Sequence, residues 1–320
     1  MSDSKLLKVS RRKMLSSAGA TAVIGLAGCL GEMPWDEASG AEGDGEISAV
    51  AGSFFMLYDL ARNVAGEQLA VEDLVPAGAH GDDWEPDPNI MERVAEADVF
   101  VYIEGFRGWS DDVAASLPED FPEMVVIDAA EGIDYIEGEA GREADPHFWM
   151  DPLKAKDAVE NIRDGFVEAD PDNASAYEDN ADALLDELDE VHEAFETVAE
   201  NRTRDLIVVG SHDSYQYWVP RYGFDIYSPV GIDPDAEPSP QEMDEVRSLV
   251  DEHDLEYILY DMYEPTDYAE SLAAETDTEI LPLSPIEATT EEQLEDGMGY
   301  VEHQHDINLE TLRKALGVEE

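Results

Sequence analysis

Two kinds of hydrophobic patterning divide the chain. Short apolar runs, too brief for helices and bounded by Gly, Pro or acidic residues, recur from about residue 47. They are "ISAVAGS", "LAVEDLV", "DVFVYI" and "MVVI", then, after residue 204, "DLIVVGS", "FDIYSPV", "YILYDM" and "EILPL". Each predicts a strand. Helical stretches such as "NIMERVAEA" lie between some of them. Strands alternating with helices predict parallel sheets built from βαβ units, and two such sets predict two lobes. The expected fold is α/β: two lobes, residues 47–171 and 202–320, each a mostly parallel four-stranded sheet flanked by helices.

A helical pattern separates the two sets. In "NASAYEDNADALLDELDEVHEAFETVAEN" the apolar positions Tyr177, Ala181, Leu184, Leu188, Val191, Phe195 and Val198 are spaced 4, 3, 4, 3, 4, 3. That is one narrow helix face. About 27 residues at 1.5 Å each predict a rod of roughly 40 Å over residues 172–201. Asp172 or Asn173, just after Pro171, stands where a cap belongs. Flanking positions lack Lys and Arg, which argues against a coiled-coil partner. The segment reads as a rigid link joining the two lobes.

Composition adds the setting. With 320 residues, 43% of them hydrophobic, the chain is long enough for one large domain or two medium ones. Its 78 acidic and 18 basic residues give a net charge of −60, spread along the whole length, and three of the six lysines fall in the first thirteen residues. A folded chain this acidic repels itself in dilute buffer. In molar salt the Debye length is about 3 Å and the repulsion is screened. The acidity therefore reads as adaptation to brine, of the haloarchaeal type. Nucleic acid is excluded as a partner, because phosphate binding needs clustered Lys and Arg. Recurring apolar runs exclude wholesale disorder.

The first 28 residues read as an export signal. "KLLKVSRRKML" is basic, and "SRRKML" resembles a twin-arginine signal. The apolar stretch that follows is too short and too rich in small residues to span a bilayer comfortably. It closes on "LAGC", which resembles a lipobox with the single cysteine, Cys29, at its lipidated position. A lone Cys cannot form an internal disulfide, and lipid attachment would fix the chain to the outer face of the membrane. Residues 29–46, polar, Gly-rich and acidic, read as a flexible tether.

Candidate chemistry lies in the loops. Three of seven histidines follow strands or sit on Pro-flanked turns: His80 in "VPAGAHGDDWEPDP", His147 in "EADPHFWMDP" and His212 in "VVGSHDSYQYW". Glu287, in "ILPLSPIEATT", follows the last strand. Ligands of open α/β sheets collect beyond the carboxyl ends of strands, so these four can converge from both lobes on one cleft. Singly, each has a plainer explanation: a hydrogen-bonded core histidine, or a cap for the helix starting near "TTEEQ". Imidazoles with a carboxylate suit four-coordinate zinc. "HQH" at 303–305 looks like a metal motif, but i and i+2 do not face each other on a helix, so it reads as solvated surface.

Together these segments resemble the substrate-binding lipoproteins of zinc and manganese ABC importers, from about residue 47 to the end. "LVPAGAHGDDWEPDP" is similar to the family's first metal loop, "DPHFWMDP" to the second, "GSHDSYQYWVPRYGF" to the third and "PLSPIEATTEEQ" to the fourth. The resemblance implies two lobes joined by a rigid helix, and His147, His212 and Glu287 as ligands of a transported Zn²⁺. Other members place Asp where this chain has Ser284. In the first loop the family's His position holds Asp82, and His80 stands two residues earlier. The implied set is three His with Glu287, which favours zinc, or two His with Asp82 and Glu287, which is harder and closer to manganese. The implied partners are a membrane permease with its ATPase, the chain acting as a monomer and not as an enzyme. Alternatives from the residues themselves are a manganese or iron carrier, a secreted zinc-dependent hydrolase with Asp82 or Glu85 as base, and a receptor for an organic ligand.

Overall fold

Apolar runs this short make short strands, and every strand among the described residues has three to five residues. The computed structural model describes residues 48–51, 54–79, 84, 86–138, 144–231 and 239–318. Strands β1 (Ser48–Ala51), β2 (Ala70–Asp73), β3 (Val99–Tyr102) and β4 (Val125–Asp128) form one parallel sheet in the order β2–β1–β3–β4. In the second half, β5 (Leu206–Val208) pairs with β6 (Asp225–Tyr227), and β7 (Tyr257–Asp261) with β8 (Glu279–Leu283), both parallel. A single parallel bridge, Val209 to Leu259, joins the pairs in the order β6–β5–β7–β8, with Gly210 N–H donating to the Leu259 carbonyl at 2.7 Å. The expected four-stranded sheet is thus two pairs held by one bridge. Gly210 permits the approach: a Cβ there would stand 3.0 Å from Ile258 and 3.4 Å from Ala269.

Side chains alternate between two buried faces. In β3, Val99 and Val101 join the central core while Phe100 joins an outer cluster. In β5, Ile207 points to the central core, and Leu206 and Val208 point outward. Strands covered on both faces are what parallel sheets require. Helix α1 (Phe55–Ala65) lies on the central side of the first sheet; α2 (Ile90–Glu96) and α3 (Gly108–Asp120) supply its outer cluster. Helix α4 (Pro152–Ala169) leads into α5 (Ala174–Asn201), the 28-residue rod. All seven residues of its predicted stripe are buried. It touches both lobes: Asn180 donates to the Val64 carbonyl of α1 at 3.1 Å, and Phe195 stacks on Tyr222 of α6 (Trp218–Tyr222), with ring centroids 5.1 Å apart. The predicted side-chain cap is not made. Pro171 opens a 3₁₀ turn, and Asn173 donates instead to Asp170, whose carboxylate also takes the Tyr177 hydroxyl. Helices α7 (Pro240–His253) and α8 (Asp267–Thr276) cover the outer face of the second sheet.

The C-terminal segment corrects the reading of "HQH". A short helical turn, Tyr300–Glu302, passes into a π-helical stretch, His303–Leu309, then into the helix Glu310–Ala315. His305 is exposed, but His303 points inward and is fully buried. Its Nδ1 lies 2.9 Å from the Ser284 hydroxyl, and its ring meets the Phe55 edge. Burial pushes its pKa down to about 4 from 6.5. The unfolded chain takes up this proton near pH 6.5 and the folded chain only near 4. Stability therefore drops as pH falls through that window, by up to about 3 kcal/mol, and levels off below it. Urea unfolding of wild type and His303→Gln across the window is the check. The variant should lack this component, and equal slopes contradict it.

Candidate metal site

The segment Asp145–Asp151 is built by its own prolines and fixed by groups distant in sequence. Pro146 and Pro152 exclude a continuous helix, and the chain makes one 3₁₀ turn, Phe148–Met150. Asp151 then starts α4: its carboxylate accepts from Leu153 N–H at 3.0 Å and from Arg221 of α6 at 2.6 Å. Carbonyls of this turn take donors from elsewhere. Tyr217 hydroxyl bonds Asp145, Trp218 Nε1–H bonds Met150 at 2.7 Å, and Tyr300 hydroxyl bonds Trp149. In return Trp149 Nε1–H donates to the Pro285 carbonyl at 2.8 Å. The turn is therefore pinned to the loop after β8.

That loop carries strain. Ile286, buried and β-branched, has φ of +61°, a left-handed conformation such residues avoid. Ser284 hydroxyl accepts Ile286 N–H at 3.2 Å, and the Asn308 amide bonds both backbone groups of Ser284. These contacts, with Phe55 N–H donating to the Glu287 carbonyl, aim the next side chain, Glu287, inward, where it is fully buried.

Three predicted candidates meet here. His147 Nε2 lies 3.3 Å from Glu287 Oε1, and the His147 and His212 ring centroids are 4.9 Å apart. One donor atom from each of His147, His212 and Glu287 lies within 4.8 Å of the others, and all three residues are buried. Asp145 Oδ1 accepts from both the backbone N–H and Nδ1 of His147, at 2.9 and 2.7 Å, which turns Nε2 toward Glu287. Burial alone would lower the His147 pKa, but the hydrogen bonds with Asp145 and Glu287 outweigh it and raise the value to about 10. Ser214 hydroxyl stands between the other two, 3.3 Å from His212 Nδ1 and 3.4 Å from Glu287 Oε1. Arg107, from the loop after β3, places Nη2 3.8 Å from Glu287 Oε2. A second grouping shares His212, with Asp261 at the end of β7 and Glu264.

His80, Asp82, Glu85 and Cys29 lie outside the described residues. The near flank of the first loop is described: Gly78 N–H donates to the Thr289 carbonyl at 2.8 Å, two residues past Glu287. His192 is far from the cluster in role, on α5 against the Tyr222 hydroxyl at 3.1 Å. Sequence reading missed Asp145, Ser214 and Arg107. Asp145 had a signal, an acid two residues before a Pro-fixed histidine; Arg107 had none, because its partner is 180 positions away.

Two buried imidazoles and a carboxylate are the kind of donor set that suits a borderline cation. The family model described as zinc-uptake complex component A periplasmic matches residues 50–315. The chain belongs to this family. The high-affinity zinc uptake system protein ZnuA of Bacillus subtilis is 26% identical over 290 residues, covering 86% of this chain and 90% of that protein. The zinc-binding protein AdcA of Streptococcus pyogenes is 28% identical over 296 residues, and this chain spans 57% of its length. The manganese-binding lipoprotein MntA of Halalkalibacterium halodurans is 33% identical over 223 residues, 68% of this chain and 72% of that one. Among solved structures, the metal-dependent lipoprotein YcdH of Bacillus subtilis superposes with a TM-score of 0.73 at 26% identity, over 85% of this chain and 99% of that one. The Zn(II)-bound ZnuA-like domain of Streptococcus pneumoniae AdcA gives 0.71 at 27% identity, over 84% and 98%. Family membership and these neighbours establish the two-lobe α/β architecture with its long helix.

Proposed function

We propose that this chain is the extracytoplasmic receptor of an ABC importer, capturing Zn²⁺ between its lobes and handing it to a membrane permease with its ATPase. The observation that carries this is the convergence of His147, His212 and Glu287, with their donor atoms within 4.8 Å. The zinc-bound streptococcal neighbour and the zinc-uptake relatives support it. The first loop supplies the fourth donor, His80 or Asp82, and the Gly78–Thr289 hydrogen bond supports its approach to Glu287. A shell closed by four protein ligands leaves no position for a reactive water, which is a carrier's chemistry and not a hydrolase's. The MntA relative keeps manganese as the second reading.

Competitive titration of the purified protein with Zn²⁺ and Mn²⁺ tests this. One zinc per chain, held more tightly than manganese, is expected. Tighter manganese binding selects the second reading, and no binding of either ends both. His80→Ala and Asp82→Ala assign the fourth donor, because only one of them should weaken zinc substantially.

The export signal and Cys29 lipidation belong to the same proposal. Relatives named as lipoproteins support it, and no helix among the described residues is long and apolar enough to cross a membrane. Cys29→Ser should release the mature protein from membranes, and its retention there contradicts the anchor. The acidic coat fits work in brine as a soluble monomer at the membrane surface.

A further inference from the structure

The π-helical stretch His303–Leu309 turns two amides inward, Gln304 and Asn308, and both are fully buried. Their hydrogen bonds close a circuit. Asn308 Oδ1 accepts Ser284 N–H at 2.8 Å, and its Nδ2–H groups donate to the Ser284 carbonyl at 3.0 Å and to Gln304 Oε1 at 2.9 Å. Gln304 Nε2–H donates to the Tyr300 hydroxyl at 3.1 Å, which in turn donates to the Trp149 carbonyl. Trp149 Nε1–H closes the ring on the Pro285 carbonyl at 2.8 Å, next in the chain to Ser284. Every residue of the circuit is buried, and donor and acceptor roles agree all the way round. The circuit clasps the two turns that carry metal-site candidates. Trp149 follows His147 in the 3₁₀ turn of the first lobe, and their rings meet with centroids 5.3 Å apart. Pro285 precedes Glu287 in the loop after β8 of the second lobe.

We infer that Gln304 and Asn308 are positioning residues of the metal site: they lock the turn of His147 to the loop of Glu287 and so set the preference for zinc over manganese. The inference rests on His147 and Glu287 both being ligands, as proposed above. Buried polar groups cost free energy unless they are fully bonded. For stability alone, an apolar filling of the same shape serves about as well. What the amides add is direction, because a hydrogen bond fixes distance and angle where apolar packing does not. Cation preference depends on that precision. A closed four-ligand zinc site needs every protein donor at about 2.0–2.2 Å. Manganese takes an octahedral shell of oxygen donors that includes water, so water replaces a protein donor that drifts. Slack between the two turns therefore costs zinc more than manganese. The π-helical register is what delivers both amides, with His303, to this one loop, and such irregular turns are frequent at functional sites.

The test measures zinc and manganese affinities by chelator competition, alongside urea midpoints, for wild type, Gln304→Leu, Asn308→Leu and Tyr300→Phe. Tyr300→Phe keeps the ring and removes both bonds of the hydroxyl, so it opens the circuit even if a leucine variant fails to fold. Val250→Ala, in the outer cluster of the second sheet, is the control that loosens the fold away from the circuit. Each folded circuit variant should bind zinc about tenfold more weakly or worse, the loss expected when groups supporting metal ligands are removed. Manganese affinity should fall less, so the zinc-to-manganese ratio drops. Val250→Ala should lower the urea midpoint and leave that ratio where it is in wild type. A ratio that holds in the circuit variants, or one that drops equally in Val250→Ala, overturns the inference, as does a wild type that prefers manganese. A folded wild type that binds neither metal ends the ligand reading itself, whereas unaltered zinc binding in the variants overturns the positioning role alone.

Discussion

Replacing His147 with Ala should lower zinc affinity by about two orders of magnitude. Structural zinc sites are worth roughly 10–16 kcal/mol over four ligands, so one ligand accounts for about 2.5–4 kcal/mol. His147 has no understudy: among the described residues, the other imidazole within the cluster is His212, already a member. The same histidine sets the proton traffic. Burial opposes its protonation, yet the Asp145 and Glu287 hydrogen bonds raise its pKa to about 10, so it carries a proton at neutral pH when no cargo is bound. Zinc binding at His147 would displace that proton, so affinity is expected to rise with pH through neutrality. Calorimetry in buffers of different ionisation enthalpy should find close to one proton released per zinc at neutral pH, and a smaller release in His147→Ala. A variant that binds zinc like wild type, with the same proton release, removes His147 from the site.

Trp149→Ala should cost about 3–5 kcal/mol of stability, the range for truncating a fully buried aromatic. The indole is packed by Phe54, Phe106, Phe148 and the His147 ring, and its N–H holds the Pro285 carbonyl. Its loss opens a cavity and frees the strained turn that aims Glu287, so zinc affinity should fall along with the denaturation midpoint. Trp149→Phe separates the two contributions. It keeps most of the packing and forfeits the hydrogen bond, for about 1–2 kcal/mol. A loss below about 1 kcal/mol in Trp149→Ala would show that the Pro285 loop is held by other means.

Much of this architecture was legible in the sequence because it depends on local periodicity. All eight strand segments are strands, and the stripe from Tyr177 to Val198 is the buried face of α5. The metal-site candidates His147, His212 and Glu287 were visible as chemistry-bearing residues just past strands or between prolines, and the structure brings them together. What escaped was what depends on contacts between distant segments. His303 and His305 do face opposite ways, as helical spacing requires, but nothing local says that one side meets Ser284 and Phe55. The π-helical stretch that turns His303 inward is invisible to a 3.6-residue template. The failed cap at Asn173 is subtler: Asp170 sits close enough to claim its amide, and a polar residue with two possible partners does not announce its choice. Arg107 is hidden for the same reason as His303, its meaning residing in Glu287 on the other lobe.

The central claim is that donors from both lobes share one ion. A crystal of the zinc-loaded protein, with anomalous maps collected on either side of the zinc edge, tests it most directly. The account predicts a single strong peak about 2.0–2.2 Å from one imidazole nitrogen each of His147 and His212 and from a carboxylate oxygen of Glu287, with a fourth donor from the loop holding His80 and Asp82. A peak elsewhere, or one that leaves any of those three side chains outside the coordination sphere, contradicts it.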